Sequence, residues 1–167
     1  ADAVISVTGG AFAVEPNYVD PAYEAKEQDG KYVVVAKPEV AKIGETGYWS
    51  LNAAVAAVKD GETITLVANE MFTATNYFNN GGWKDGLGYS GDKSFTIDLG
   101  GHTISQDGAL NDYLVWIKNV GSKENTITIK NGTMDAGKTA YCALCTASSH
   151  ENKLTVNLEN ITLINNN

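Results

Sequence analysis

The chain has 167 residues, a net charge of −8 and a sequence pI near 4.6, and all 12 of its basic residues are Lys. That length suits one domain with a real core, or one domain plus a short appendage, and argues against two compact domains. The acidity argues against the basic patches that non-specific nucleic-acid or anionic-membrane binding needs, and no stretch approaches the roughly 20 apolar residues that span a bilayer. No signal-peptide pattern follows Ala1, so the chain reads as a mature segment or a piece of something longer. An acidic, Asn-, Gly- and Thr-rich, Cys-poor composition is expected of a secreted or wall-attached bacterial protein.

In chain order, Val4 to Phe12 reads as a strand, a Gly9-Gly10 corner and a return to apolar residues. The turn Asp29-Gly30 predicts a hairpin of Tyr23 to Lys26 with Tyr32 to Val35, and Lys37 to Lys42 reads as a linker. Residues 1–42 are thus expected to form a coil terminus, a short hairpin and a linker, ahead of a second segment at 43–167. Ser50 to Lys59 predicts a helix: Ser50 suits an N-cap, Leu51, Ala54, Val55 and Val58 fall at i, i+3, i+4 and i+7, and Asp60-Gly61 stops it. With one apolar face to bury, it is expected to cap the end of the segment after it.

That segment is a repeat. Ile97-Asp-Leu-Gly-Gly-His-Thr-Ile104, Ile127 to Met134 and Val156 to Leu163 align without a gap, and Ile64 to Met71 is a weaker copy. The starts at 64, 97, 127 and 156 are nearly evenly spaced, the mark of a solenoid whose coils stack. The first, third and eighth positions are expected to point inward and build ladders at the strand spacing of roughly 4.8 Å. The seventh, Thr103, Thr133 and Thr162, is expected to point outward. Leu114 to Ile117 and Cys142 to Cys145 would supply further sides of each coil. Phe72 to Lys93 breaks the pattern and reads as a long inserted loop, the kind of place where function sits on such a scaffold. Its aromatics Tyr77, Trp83 and Tyr89 offer flat faces for sugar rings, with Asn79, Asn80 and Asp85 as hydrogen-bonding partners; alternatively they pin the loop to the solenoid side.

The "IDLGGHTI" unit, the spacing of the copies and the lead-in "YWSLNAAVAAVKDGETITL" resemble the pectin lyase-like right-handed parallel β-helix, above all modules of large bacterial surface proteins. The likeness covers about residues 43–167. It implies an all-β, single-stranded parallel β-helix of about three to four coils, with an N-terminal capping helix and a small N-terminal β segment. One such fold hosts lyases, hydrolases, adhesins and tail spikes, so activity has to be argued from a site. Resembling lyases pair an acidic Ca²⁺ site with a basic residue, often Arg, which this chain lacks. Resembling polygalacturonases use an Asp-Asp pair that is also missing. Asp98, Asp107, Asp112, Glu124, Asp135 and Glu159 are scattered, and Lys118 and Lys130 are the lysines a lowered pKa would have to activate. His102 resembles the turn His of structural corners in the family.

Cys142 and Cys145 lie three apart on a strand, facing opposite sides, and are expected to be buried free thiols and not a redox pair or metal ligands. Asp85 to Asp92 offers too few oxygens for a Ca²⁺ loop, and the sequons at Asn131 and Asn160 are explained by the repeat. The expectation is therefore a non-catalytic extracellular β-helix module, adhesin-like or stalk-forming, without cofactor or metal, that binds glycan through Tyr77, Trp83, Asp85 and Tyr89. The alternative is a lyase or hydrolase domain acting on acidic polysaccharide. Residues 4–12 match the repeat closely enough to extend the ladder beyond 154–164, within one chain or between chains. Nucleic-acid binding and membrane insertion are not expected.

Overall fold

The computed structural model describes residues 4–108, 113–137, 141–148 and 153–165; Asp112 lies outside them. The chain forms two compact units, 1–38 and 39–167. In the first, β1 (Gly10–Phe12), β2 (Tyr23–Gln28) and β3 (Lys31–Ala36) make an antiparallel sheet in the order β1-β3-β2. The expected hairpin is present: Asp29 and Gly30 both take positive φ, 51° and 70°, the geometry of the two-residue turn that matches strand twist. Val7 forms an isolated parallel bridge with Val19.

The second unit is a parallel β-helix of about three turns. It opens with β4 (Ala41–Ile43) and β5 (Thr46–Tyr48), an antiparallel pair, and then helix α1 (Leu51–Ala57). The first coil runs through β6 (Thr63–Leu66), β7 (Glu70–Phe72), the hairpin β8 (Phe78–Asn80) and β9 (Trp83–Asp85), and β10 (Leu87–Gly91). The second runs through β11 (Phe95–Asp98), β12 (Thr103–Gln106) and β13 (Tyr113–Asn119). In the third, one strand, β14 (Asn125–Asp135), covers two sides before β15 (Cys142–Ser148), and β16 (Leu154–Ile164) begins the next layer. Three ladders result: β6-β11-β14-β16, β7-β12-β14-β16 and β10-β13-β15, all parallel.

The register differs from the gapless alignment in two places. Ile97 lies beside Ile129 rather than Ile127, and Phe95 takes the place beside Ile127. The chain is back in the expected register at Thr103↔Thr133 and Ile104↔Met134. The reason is corner length. From Asp98 to Ile104 the chain takes six steps, from Lys130 to Met134 only four. The two extra residues leave as a turn, Leu99 to His102, closed by the His102 N–H donating to the Leu99 carbonyl at 2.7 Å. Because strand side chains alternate with period two, a two-residue shift preserves which side chains face inward. Ile64, Ile97, Leu99, Ile127 and Ile129 are accordingly all buried.

The first coil takes five steps, Thr65 to Glu70, and that odd difference does change facing. Met71, expected inward, sits instead beside Ser105 and is 53% exposed. Glu70 and Phe72 occupy the interior, Glu70 beside Ile104.

At the shortened corner Asn131 and, one layer on, Asn160 adopt left-handed backbone, φ 60° and 52°. Their amides stack: Asn160 Nδ2 donates to Asn131 Oδ1 at 3.2 Å, and Asn131 Nδ2 donates to both Asp98 carboxylate oxygens at 3.1 and 3.2 Å. Both sequon asparagines thus belong to one amide ladder, with Asn131 half-buried and Asn160 exposed. Gly132 is required beneath the Leu99 turn, since a Cβ there would lie 2.4 Å from Leu99 Cβ.

Residues 41–42, read as linker, belong to the solenoid: β4 pairs antiparallel with β6, and Ala41 is fully buried. This hairpin blocks the outer edge of β6, a parallel edge that would otherwise offer its backbone groups to any passing strand. Helix α1 is shorter than the predicted 50–59 but buries the expected residues, and Ser50 accepts from Ala53 N–H at 3.1 Å.

Replacing Asn131 separates its two tasks. Asn131→Gly keeps the left-handed corner and loses the amide ladder, whereas Asn131→Ala loses both. We expect urea unfolding to show the Ala variant less stable than the Gly variant by about 1–2 kcal/mol.

Candidate functional site

The segment read as an irregular loop is ordered into strand and hairpin. Asn80-Gly81-Gly82-Trp83 turns tightly, Gly81 and Gly82 having φ 63° and 103°, and Gly82 N–H donates to Asn79 Oδ1 at 3.0 Å. The Gly-rich run Leu87 to Gly91 is the third side of the first coil, bonded in parallel to β13. Its glycines permit a close approach: the Phe78 ring lies over Gly88, where a Cβ would meet it at 1.9 Å, and stacks on Trp116 with centroids 5.9 Å apart. The hairpin is therefore fastened to the outside of β10 and β13.

Helix α1 approaches the same strand from the other side, and Asn52 staples the two together. Its Nδ2 donates to the carbonyls of Asn76 (3.1 Å) and Gly86 (2.8 Å), and its Oδ1 accepts from Gly88 N–H (3.1 Å). Between α1, Phe78 and β10 lies a cleft of about 310 Å³. Val55, Ala56, Phe78 and Tyr89 line it, with Ser90 and Asp92 contributing polar groups. This is the lower end of the size range of small-ligand sites, and the mixture of apolar wall and few polar groups is theirs too. Lys93 Nζ closes one side by donating to the Val58 carbonyl at the helix C-terminus, 2.7 Å.

The four sequence-predicted ligand residues do not share one surface. Trp83 is 59% exposed on the hairpin. Tyr77 is half-buried, with Lys84 Nζ 5.5 Å above its ring centroid. Tyr89 is largely buried: it lines the cleft, meets Phe95 edge-on at 4.9 Å, and its hydroxyl accepts from Lys93 N–H at 2.7 Å. Burial pushes its phenol pKa up. Asp85 is fully buried, its Oδ1 accepting from Tyr113 N–H at 3.3 Å, so it supports the hairpin from inside. Asn79 is occupied in the turn.

Sequence reasoning missed the polar network beneath the cleft. Glu70 accepts from Leu51 N–H at 2.7 Å through Oε2, capping α1 from within the solenoid, and from Asn76 Nδ2 at 3.3 Å through Oε1. Asn76 is held in turn by Thr73, whose N–H and hydroxyl both reach its Oδ1. Burial raises the Glu70 pKa to about 7, against the opposing pull of the Leu51 and Asn76 hydrogen bonds. The signal that could have found it is the alternation Leu66, Glu70, Phe72, which places a carboxylate in an apolar row.

Of the other candidates, Lys130 is 3.6 Å from Asp98, whose carboxyl is held below its ordinary value by hydrogen bonds from Gly100 and Asn131 and by Lys130, against the effect of burial. His102 is a turn residue whose carbonyl accepts from Thr133 N–H. Cys142 and Cys145 are free thiols, half-buried where full burial was expected, opposite Tyr113 and Trp116 respectively. Burial pushes the Cys142 thiol up, away from thiolate reactivity. Among the described residues no cluster of His, Cys, Asp and Glu is suited to a metal ion. Comparison with protein-family models, with curated proteins and with solved structures found no match.

Glu70 makes stability depend on pH. Its folded pKa lies above its unfolded value near 4.5, so its contribution is full below about pH 4.5 and is lost as pH rises through about 7. Unfolding free energies at pH 5 and pH 8 should differ by up to about 2–3 kcal/mol from this group, and Glu70→Gln should flatten that slope. An unchanged slope would mean that Glu70 is ionised in the folded chain throughout.

Proposed function

We propose that this chain is a non-catalytic module of an extracellular bacterial surface protein, a pectin lyase-like β-helix that serves as stalk and adhesin-like face and binds glycan on its first coil. The observation that supports this best is the hairpin fastened over β10, which exposes Trp83 to solvent and sets its Phe78 in the wall of the 310 Å³ cleft. A rigid, exposed indole offers a flat apolar face to a pyranose ring at little entropic cost. The cleft would take one sugar residue, with Tyr89 in its wall, Ser90 and Asp92 for hydroxyls, and Tyr77 and Asp85 keeping the hairpin in place. A polysaccharide lyase or hydrolase is the competing class.

Glycan-array binding, run beside a product-release assay on pectic and host-type polysaccharides, separates the two. Binding without product is expected, weakened at least roughly tenfold by Trp83→Ala and by filling the cleft with Ala56→Phe. Product release would establish an enzyme, and binding indifferent to both substitutions would remove the glycan surface from this face.

A further inference from the structure

The chain contains two Asn-Gly steps, Asn80-Gly81 and Asn131-Gly132, and the fold treats them oppositely. A glycine after asparagine matters chemically. With no side chain on the second residue, its backbone nitrogen can reach the asparagine side-chain carbonyl and close a five-membered ring. At Asn131 that path is blocked. Its Nδ2 donates to both Asp98 carboxylate oxygens and its Oδ1 accepts from Asn160 Nδ2, so the amide cannot swing toward the main chain without breaking the ladder. Gly132 lies within β14, opposite Ile161 in the parallel ladder and packed beneath the Leu99 turn.

Asn80 stands at the tip of the β8–β9 hairpin, paired with Trp83 across the two glycines. Gly81 and Gly82 are exposed, and a Cβ built on either would meet nothing within 4 Å. Among the described residues neither the Asn80 side-chain amide nor the Gly81 N–H has a hydrogen-bond partner. Each strand is three residues long and the two form a sheet of their own. The tip therefore opens at small free-energy cost, even though Phe78 and Asp85 hold the base of the hairpin.

We propose that Asn80 is a self-modification site, cyclising with Gly81 and converting without an enzyme to aspartate and isoaspartate, while Asn131 stays intact. The Gly81 nitrogen, its proton taken by hydroxide, attacks Asn80 Cγ. An N–Cγ bond forms, the Cγ–Nδ2 bond breaks, and the amide nitrogen takes a proton from water and leaves as ammonia. Water then opens the succinimide. Attack at Cγ restores the normal chain with an aspartate; attack at the main-chain carbonyl leaves the chain running through Cγ, one methylene longer. Both products add a negative charge. The longer one also distorts a two-residue turn whose glycines, at φ 63° and 103°, match the twist of the strands, and so unseats the Asn80↔Trp83 pair. The chemistry is independent of the glycan reading, and only its effect on binding through Trp83 rests on it.

Trypsin places the two steps in different peptides, 60–84 and 131–138, because Lys59, Lys84, Lys130 and Lys138 bound them. The folded chain is aged in mildly alkaline buffer, where more of the Gly81 nitrogen is deprotonated, and the peptide masses are followed. Conversion at Asn80, a gain of one mass unit assigned by fragmentation, should outrun that at Asn131 by at least about tenfold, and in urea the two rates should converge. Asn80→Gln, whose cyclisation would need a six-membered ring, should abolish the change at that position. Limited trypsin should cut the aged native chain after Lys84 severalfold faster than the fresh one, and the aged Asn80→Gln variant should show no such gain. Equal rates at the two asparagines in the folded chain overturn the proposal, as does a ratio that persists in urea; cutting at Lys84 indifferent to conversion overturns the consequence for the hairpin. The masses report the chemistry whether or not any glycan binds, so a failure of the glycan reading is seen separately.

Discussion

Stacked coils share one interior, so every coil must bring its apolar side chains back to the same places whatever the length of chain between them. Side-chain alternation along a strand sets the tolerance. The six-step corner at Leu99 to His102 and the four-step corner at Asn131-Gly132 differ by two, and the excess leaves as a hydrogen-bonded turn without moving a single inward residue to the outside. The five-step corner of the first coil differs by one, and that coil alone exchanges an apolar interior residue for a carboxylate. The left-handed asparagines and Gly132 serve the same end: they let the short corner pass under the long one while the amide ladder ties the layers together.

The odd corner has a structural use. Glu70 enters the interior where α1 begins, and there a carboxylate can take the Leu51 N–H that a helix start leaves without an intrahelical partner. Through Asn76 and Asn52 the same network reaches the hairpin and β10, so the helix cap, the first coil and the cleft are held by one set of hydrogen bonds. The cost is burial of an ionisable group, visible in its raised pKa. At the first coil the solenoid is sealed by β4 and α1.

Much of this was legible in the sequence because it depends on local periodicity. The repeat at 64, 97, 127 and 156 marked the solenoid, the i, i+3, i+4, i+7 pattern with Ser50 marked α1, and Asp29-Gly30 marked the N-terminal hairpin. Register was less legible, since a two-residue shift leaves the apolar pattern intact and Ile97 fits equally well beside Ile127 or Ile129. Met71 misled because an apolar residue at the expected position outweighed the Glu beside it. The 72–93 segment read as loop because β10 is built from glycines, and only the Phe78 ring above Gly88 explains them. The candidate site was legible as a region and not as a surface: burial separates Asp85 and Tyr89 from Trp83, and burial is a property of the assembled coils.

The register of the coils is the claim on which the ladders and the inward Glu70 both depend, and backbone NOEs between adjacent strands measure it directly. The structure requires Ile97 to show short interstrand contacts to Ile129 and its neighbour Lys130, and Phe95 to show them to Ile127 and Thr128. Contacts linking Ile97 to Ile127 instead would restore the gapless alignment and contradict the unequal corners.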